Sequence, residues 1–258
     1  MALTDAFNHT GKQLDDLSNN LTDNIDVKVK EANSLLSQVA NLNNEIFRVE
    51  GLGNDANDLR DQRDLLVDNL SRIVNVKVTE ASGGYDIRMG SVNLVSGIAV
   101  TSTLTSQSVA AGIASKDISS GEIYGMAVSR DQYLASYKFQ FDSMIKSLVQ
   151  GQVTTTLPKG TVIPDGTVLN GTTYSGSIAQ RTLAGDTKVT VKGINGLHLL
   201  GYSLEDPPSS GIPFFTLKEG STEFNANSVT VNPDIVKKRS LTSRPRPECT
   251  WILTVQQR

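Results

Sequence analysis

From Leu14 to Val49, apolar side chains recur at alternating steps of four and three residues. They are Leu14, Leu21, Ile25, Ala32, Leu35, Val39, Leu42, Ile46 and Val49, and only Ser18 and Lys28 break the series. A repeat averaging about 3.5 residues keeps one face of an α-helix turned toward partner helices. No proline occurs in the first fifty residues, and Gly11 is the only glycine among them. The spacing therefore predicts one long helix with a packing seam, densest from Leu35 to Val49. The stretch "EGLGNDAND" then stops it with Gly51 and Gly53 and offers Asn and Asp as caps for a second helix.

That second helix is predicted within "NDLRDQRDLLVDNLSRIVNVKV", Asn57 to Val78. Leu59, Leu66, Leu70 and Ile73 share one face, with Gln62 and Arg63 in the remaining slots of the same stripe. Asp58 and Asp61 stand in the first turn, where negative charge suits the helix dipole. Asp61, Asp64 and Asp68 form another face, and Arg60 and Asp64, four apart, can pair. Three carboxylates at helical spacing raise the question of a metal site. The adjacent arginines oppose a cation, and no loop supplies further oxygen ligands, so the cluster reads as packing and ion pairing. Arg63 is the unusual member: its stem is expected in the core, with its head bridging to a neighbouring helix.

After Ile73 the period changes to two. "VNVKVTE", a turn at "ASGG" and "YDIRMGSVNLVSG" predict a β-hairpin or small meander at about 74–100. A polar Ser/Thr/Ala stretch follows at 101–120. "SRDQYLASYKFQFDSMIKSLVQG" returns to helix, with Ser129 as cap and a stripe of Tyr133, Tyr137, Gln140 or Phe141, Met144 and Leu148. Residues 152–192 are rich in Thr, Val and Gly, and "LPKG" and "IPDG" mark turns, which predicts a small β insertion. The organisation expected is a helical stalk over 1–151, the insertion at 152–192, a return segment and outer β region at 193–236, and an atypical tail at 237–258. The fold class expected is α+β, an elongated helical bundle with a β-hairpin and a small inserted β domain.

Composition supports this reading. Aromatic residues are 5% of 258, the net charge is −3 and the pI near 5.5, which argues against nucleic acid or an anionic membrane as partner. No apolar run is long enough to span a bilayer, and "MALTDAFNHTGKQLDD" lacks the features of a cleavable signal. The tail departs from the rest. Of 24 Lys/Arg, six fall after Val236 and leave 18; of 27 Asp/Glu, one falls there and leaves 26. It also carries Cys249 and Trp251, the only residues of their kinds.

Other motifs carry less. "GLGNDA" fits a dinucleotide-type glycine pattern but follows a helix instead of a strand. His9 and His198 sit on separate segments without a nucleophile elbow, so His198 reads as a packed residue. Asn8, Asn20 and Asn170 begin glycosylation-type tripeptides, which carry little without a secretory signal.

Five stretches together resemble the bacterial flagellar hook-associated protein 1 family: "ALTDAFNHTGKQL", "SLLSQVANLNNEI", "NDLRDQRDLLVDNLSRIVNVKV", "SRDQYLASYKFQFDSMIKSLV" and "INGLHLLGYSLEDPPSSGIPFF". Asn195, His198, Phe214 and Phe215 fall at family-like spacing in the last of these. The resemblance implies a secreted, non-enzymatic building block of the hook–filament junction in the extracellular flagellum, exported without a cleaved signal. It implies packing against hook protein, the third hook-associated protein and sibling subunits, after escort by an export chaperone. No catalytic residue, cofactor or metal is expected. A coiled-coil binding module or surface adhesin, or a hydrolase using His198, are the competing readings. Against the family pattern, an earlier helical region and a closing amphipathic helix are missing, and the tail reads as a frameshifted or foreign end on a truncated gene. An exposed Leu35–Val49 stripe favouring self-association or instability is the expected consequence.

Overall fold

The computed structural model describes residues 1–81, 83–204 and 208–237. The tail from Lys238, and every expectation placed on it, lies outside the described residues. The fold is α+β. Helix α1 runs Ala2–Gly51, and its end is closed by short-range bonds, Leu52 N–H to Val49 O (3.2 Å) and Gly53 N–H to Glu50 O (2.9 Å). Helix α2, Asn57–Ile73, begins after Ala56, which offers no side-chain cap, so the neighbouring Asn and Asp do not serve in the expected way. Val74 at its end is already extended, and the chain passes directly into strand. Two compact units divide the chain, Leu14–Ser136 on one side and Met1–Gln13 with the described residues from Tyr137 on the other.

In the Leu14–Ser136 unit, β1 (Lys77–Ala81), β2 (Gly84–Met89), β3 (Val92–Ser96) and β4 (Ala99–Val100) form an antiparallel meander in sequence order. The register shifts between Ile87 and Arg88. Ile87 and Met89 are buried on either side of the exposed Arg88 in β2, whereas β3 buries the adjacent Leu94 and Val95, one on each face. All four belong to one core that also includes residues of α1 and α2. The buried stripe of α1 is Ile25, Val29, Ala32, Leu36, Val39, Asn43 and Ile46, flanked by the buried Leu35. Leu42 and Val49 are half-buried. The expected exposed Leu35–Val49 seam is therefore mostly covered, because α2 and the meander lie on it within the same chain. Lys28, one interruption of the spacing, reaches Glu31 and Glu122, each at 2.9 Å. The attraction of both carboxylates holds its ammonium pKa above the ordinary lysine value.

The polar stretch at 101–120 contains a helix that periodicity did not reveal, α3 (Ser106–Ser115). Its start is a capping box in which Thr105 and Ser108 exchange side-chain and backbone bonds. Only Val109 and Gly112 of α3 are buried, so it carries no apolar stripe to read. Another difference concerns the next helix. It starts at Glu122 instead of after Ser129: α4 (Glu122–Val128), a π-helical turn (Ser129–Leu134) and α5 (Ala135–Gln150) are continuous. Its expected stripe is kept only in part, since Phe141 and Leu148 pack half-buried on a core. Tyr133, Tyr137 and Met144 are 61%, 62% and 50% exposed, while Leu134, Ile145 and Val149 are buried. Leu134, Phe141, Ile145 and Val149 keep ordinary helical steps of seven, four and four, so two adjacent faces of this helix both carry apolar residues and packing selects between them.

In the other unit, β5 (Gln152–Leu157) pairs antiparallel with β8 (Thr187–Lys192) over six residue pairs. Between them lie the hairpin β6–β7 (Thr167–Leu169, Thr172–Tyr174) and the short helix α6 (Ile178–Arg181). Ile163, Leu169, Leu183, Val189, Val191 and Leu200 make a small core there. Beyond it come α7 (Gly193–Leu199), the β9–β10 pair (Phe215–Leu217, Val229–Val231) and α8 (Pro233–Lys237). Phe7, Ile145, Val149, Phe215, Val229, Val231 and Ile235 form a second core. A Cβ on Gly11 would stand 2.7 Å from Ala226 Cβ, so the lack of a side chain lets α1 approach that loop.

Candidate assembly site

Helical spacing places Arg63 on the inner face of α2, and the residue is 1% exposed. A buried guanidinium needs acceptors and compensating charge. Its Cζ lies 3.4 Å from the centroid of the Tyr85 ring, and Nη1 donates to Asn43 Oδ1 at 3.2 Å. Asp64 Oδ1 is 3.8 Å from Nε, which donates no hydrogen bond among the described residues. A positive charge over an aromatic face is attracted by the ring quadrupole, more strongly when water is excluded.

Asn43 is fully buried and ties three elements together. Its Nδ2 donates to the carbonyls of Tyr85 (3.0 Å) and Gly97 (2.6 Å), and its Oδ1 accepts from Tyr85 N–H (3.1 Å). The amide thus stands in for a strand, pairing with Tyr85 on β2 and gripping the β3–β4 turn from α1. Burial pushes the Tyr85 phenol pKa up, and a bond to Asp64 adds to this while the Arg63 charge opposes it.

Arg60 differs from the expected pairing with Asp64. It forms a bidentate bridge to Glu50, Nε–Oε1 2.7 Å and Nη2–Oε2 2.9 Å, and its Nη1 reaches Glu80 at 3.0 Å. Two carboxylates presented by α1 and β1 satisfy the planar fork better than one helical neighbour. The Arg60 guanidinium holds the Glu50 carboxyl below its usual value.

Of the other residues singled out by sequence, Leu70 is buried, Leu59 and Leu66 are half-buried, and Asp58, Asp61 and Asp64 are exposed. Among the described residues no three His, Cys, Asp or Glu side chains gather as a metal site would require. In the other unit, Asn195 Nδ2 donates to Phe215 O (2.9 Å), and Phe215 N–H donates to Asn195 Oδ1 (2.7 Å). His198 Nδ1 bonds the Ile212 carbonyl, and its ring meets Phe214 edge-on at 5.5 Å. Phe214 and Phe215 are themselves edge-on at 4.9 Å. Sequence reasoning missed Asn43, Tyr85, Glu50 and Glu80. A signal existed for Asn43, because it continues the Ala32, Leu36, Val39 spacing as a polar residue among apolar ones.

A helix pair locked to a β-meander through buried polar groups defines a structural module. Residues 1–154 match the model of the flagellar hook-associated protein FlgK helical domain, and the chain belongs to that family. Over 84 residues it is 43% identical to flagellar hook-associated protein 1 of Bacillus subtilis (strain 168), covering 32% of this chain and 17% of that protein. Over 90 residues it is 40% identical to the protein of that name from Salmonella typhimurium and 39% identical to that of Escherichia coli (strain K12), covering 34% of this chain and 16% of each. The matched part thus spans about a sixth of those relatives' length. Among solved structures, the flagellar hook junction protein FlgK from Burkholderia pseudomallei is similar over 93% of this chain and 53% of that one, at 14% identity and a TM-score of 0.49.

Proposed function

We propose that this protein is a structural subunit of the bacterial flagellum that joins hook to filament. The family match over residues 1–154 carries the reading. The role is mechanical and not catalytic: α1, α2 and the meander present a stiff body, and the Arg63–Asn43–Tyr85 junction holds strands and helices in one register. The partners in this reading are hook protein, the third hook-associated protein and sibling subunits, with an export chaperone beforehand, and the location is the external flagellum. Its organisation is a helical stalk over 1–151, a β insertion at 152–192 and a return segment at 193–236. Leu35, Val39, Leu42, Ile46, Val49, Leu59, Leu66 and Leu70 serve packing, and Asp58, Asp61 and Asp64 serve contacts to neighbouring subunits.

Complementation tests this. Expressed in a strain lacking its hook-associated protein 1, the chain is expected to restore filaments and swimming. A chain that is made and exported yet restores neither would overturn the proposal.

A further inference from the structure

The chain contains two Asn-Gly pairs, Asn170–Gly171 and Asn195–Gly196. In such a pair the missing side chain on glycine lets its backbone nitrogen reach the asparagine amide carbon. The fold treats the two very differently. Asn195 lies in α7, with both ends of its amide bonded to the backbone of Phe215, itself 3% exposed within a core. Freeing that amide means opening the core. Asn170 is exposed at the tip of β6–β7, at φ 49 with Gly171 at φ 79, and a Cβ on Gly171 would meet nothing within 4 Å. Its side chain is held by a bond from Nδ2 to Lys188 O on β8, at 2.7 Å. The hairpin has three residue pairs, and so short a ribbon opens at little cost.

We propose that Asn170 is a site of spontaneous deamidation that releases the β6–β7 hairpin from β8. The Gly171 amide nitrogen attacks Cγ of Asn170 and loses its proton. The Cγ–Nδ2 bond breaks, and ammonia leaves from a five-membered succinimide. Water then opens the ring at either carbonyl, giving aspartate or isoaspartate, with no change of oxidation state. The donor that held Lys188 O is gone, and a carboxylate now faces that carbonyl. Isoaspartate also lengthens the backbone at a two-residue turn that tolerates no insertion without a register change.

The full-length chain is held in mildly alkaline buffer, native or in denaturant, then digested. The two Asn-Gly peptides are followed by mass and by isoaspartyl methyltransferase labelling. In denaturant both pairs are expected to convert at comparable rates. In the native chain Asn170 should convert at least about tenfold faster than Asn195, since local opening exposes the one and core opening the other. Native conversion of Asn195 as fast as that of Asn170 would overturn the proposal, as would a native Asn170 that stays intact while the denatured chain reacts. Asn170→Asp, a small residue that tolerates the same backbone, should speed hydrogen exchange of the Thr172–Tyr174 amides. Unchanged exchange would overturn the release from β8.

Discussion

Arg63 and Asn43 show how one buried cation is housed. The guanidinium has a ring face and one amide oxygen, but among the described residues its Nε makes no hydrogen bond. Replacing such a group by an apolar one of similar length is often neutral. Arg63→Met is therefore expected to unfold within about 1 kcal/mol of the parent. Asn43→Ala strands Tyr85 N–H and O, Gly97 O and the Arg63 fork together, and should cost at least about 3 kcal/mol in denaturant unfolding. The reverse ranking would mean that the ion, not the amide, holds the meander. At the surface, Arg60 lowers the Glu50 pKa on folding. A depressed carboxylate stabilises the fold above its unfolded value of about 4.3, and that contribution is lost as pH falls through the folded value. Unfolding midpoints measured down an acid series should therefore fall less steeply in Glu50→Gln than in the parent.

Among the elements, the start of α4 is the most sharply specified. Gly121 sits at φ 94, and a Cβ there would stand 2.6 Å from Ile73 O and 3.0 Å from Val74 Cα. The glycine lets α4 begin against the end of α2. Gly121→Ala should lower stability by about 2–3 kcal/mol, combining backbone strain with a clash against main chain. Gly53→Ala, at φ 82 in open space, should cost about 1 kcal/mol. Equal losses in thermal or denaturant unfolding would refute the close-packing part of this account. The same scale shows why α3 and the phase of α5 were illegible. A capping box of Thr105 and Ser108 is a weak signal inside a Ser/Thr-rich stretch, and α5 carries apolar residues at helical spacing on two adjacent faces, so spacing alone does not choose between them.

At the scale of the molecule, the 152–192 region enters and leaves side by side. Gln152 pairs with Lys192, and Gly193 N–H meets Gly151 O at 2.5 Å. None of the core residues of the Leu14–Ser136 unit lies between them. Replacing 153–191 by a two-residue turn should leave that unit's hydrogen-exchange protection unchanged, although Leu200 loses its packing. General loss of protection would show that the insertion is required for folding. By itself the sequence determined the long helix, the second helix, the change of period at Val74, the β character of 152–192 and the placing of Arg63 on an inner face. All of these follow from local spacing, turn residues and chain stiffness. Tertiary structure alone decided that Asn43 receives Arg63 and pairs with Tyr85, that Arg60 turns to Glu50 and Glu80, and which face of α5 is covered. Those choices are competitions among partners distant in the chain, settled by which carboxylate, carbonyl or ring the folded backbone brings within a few ångströms.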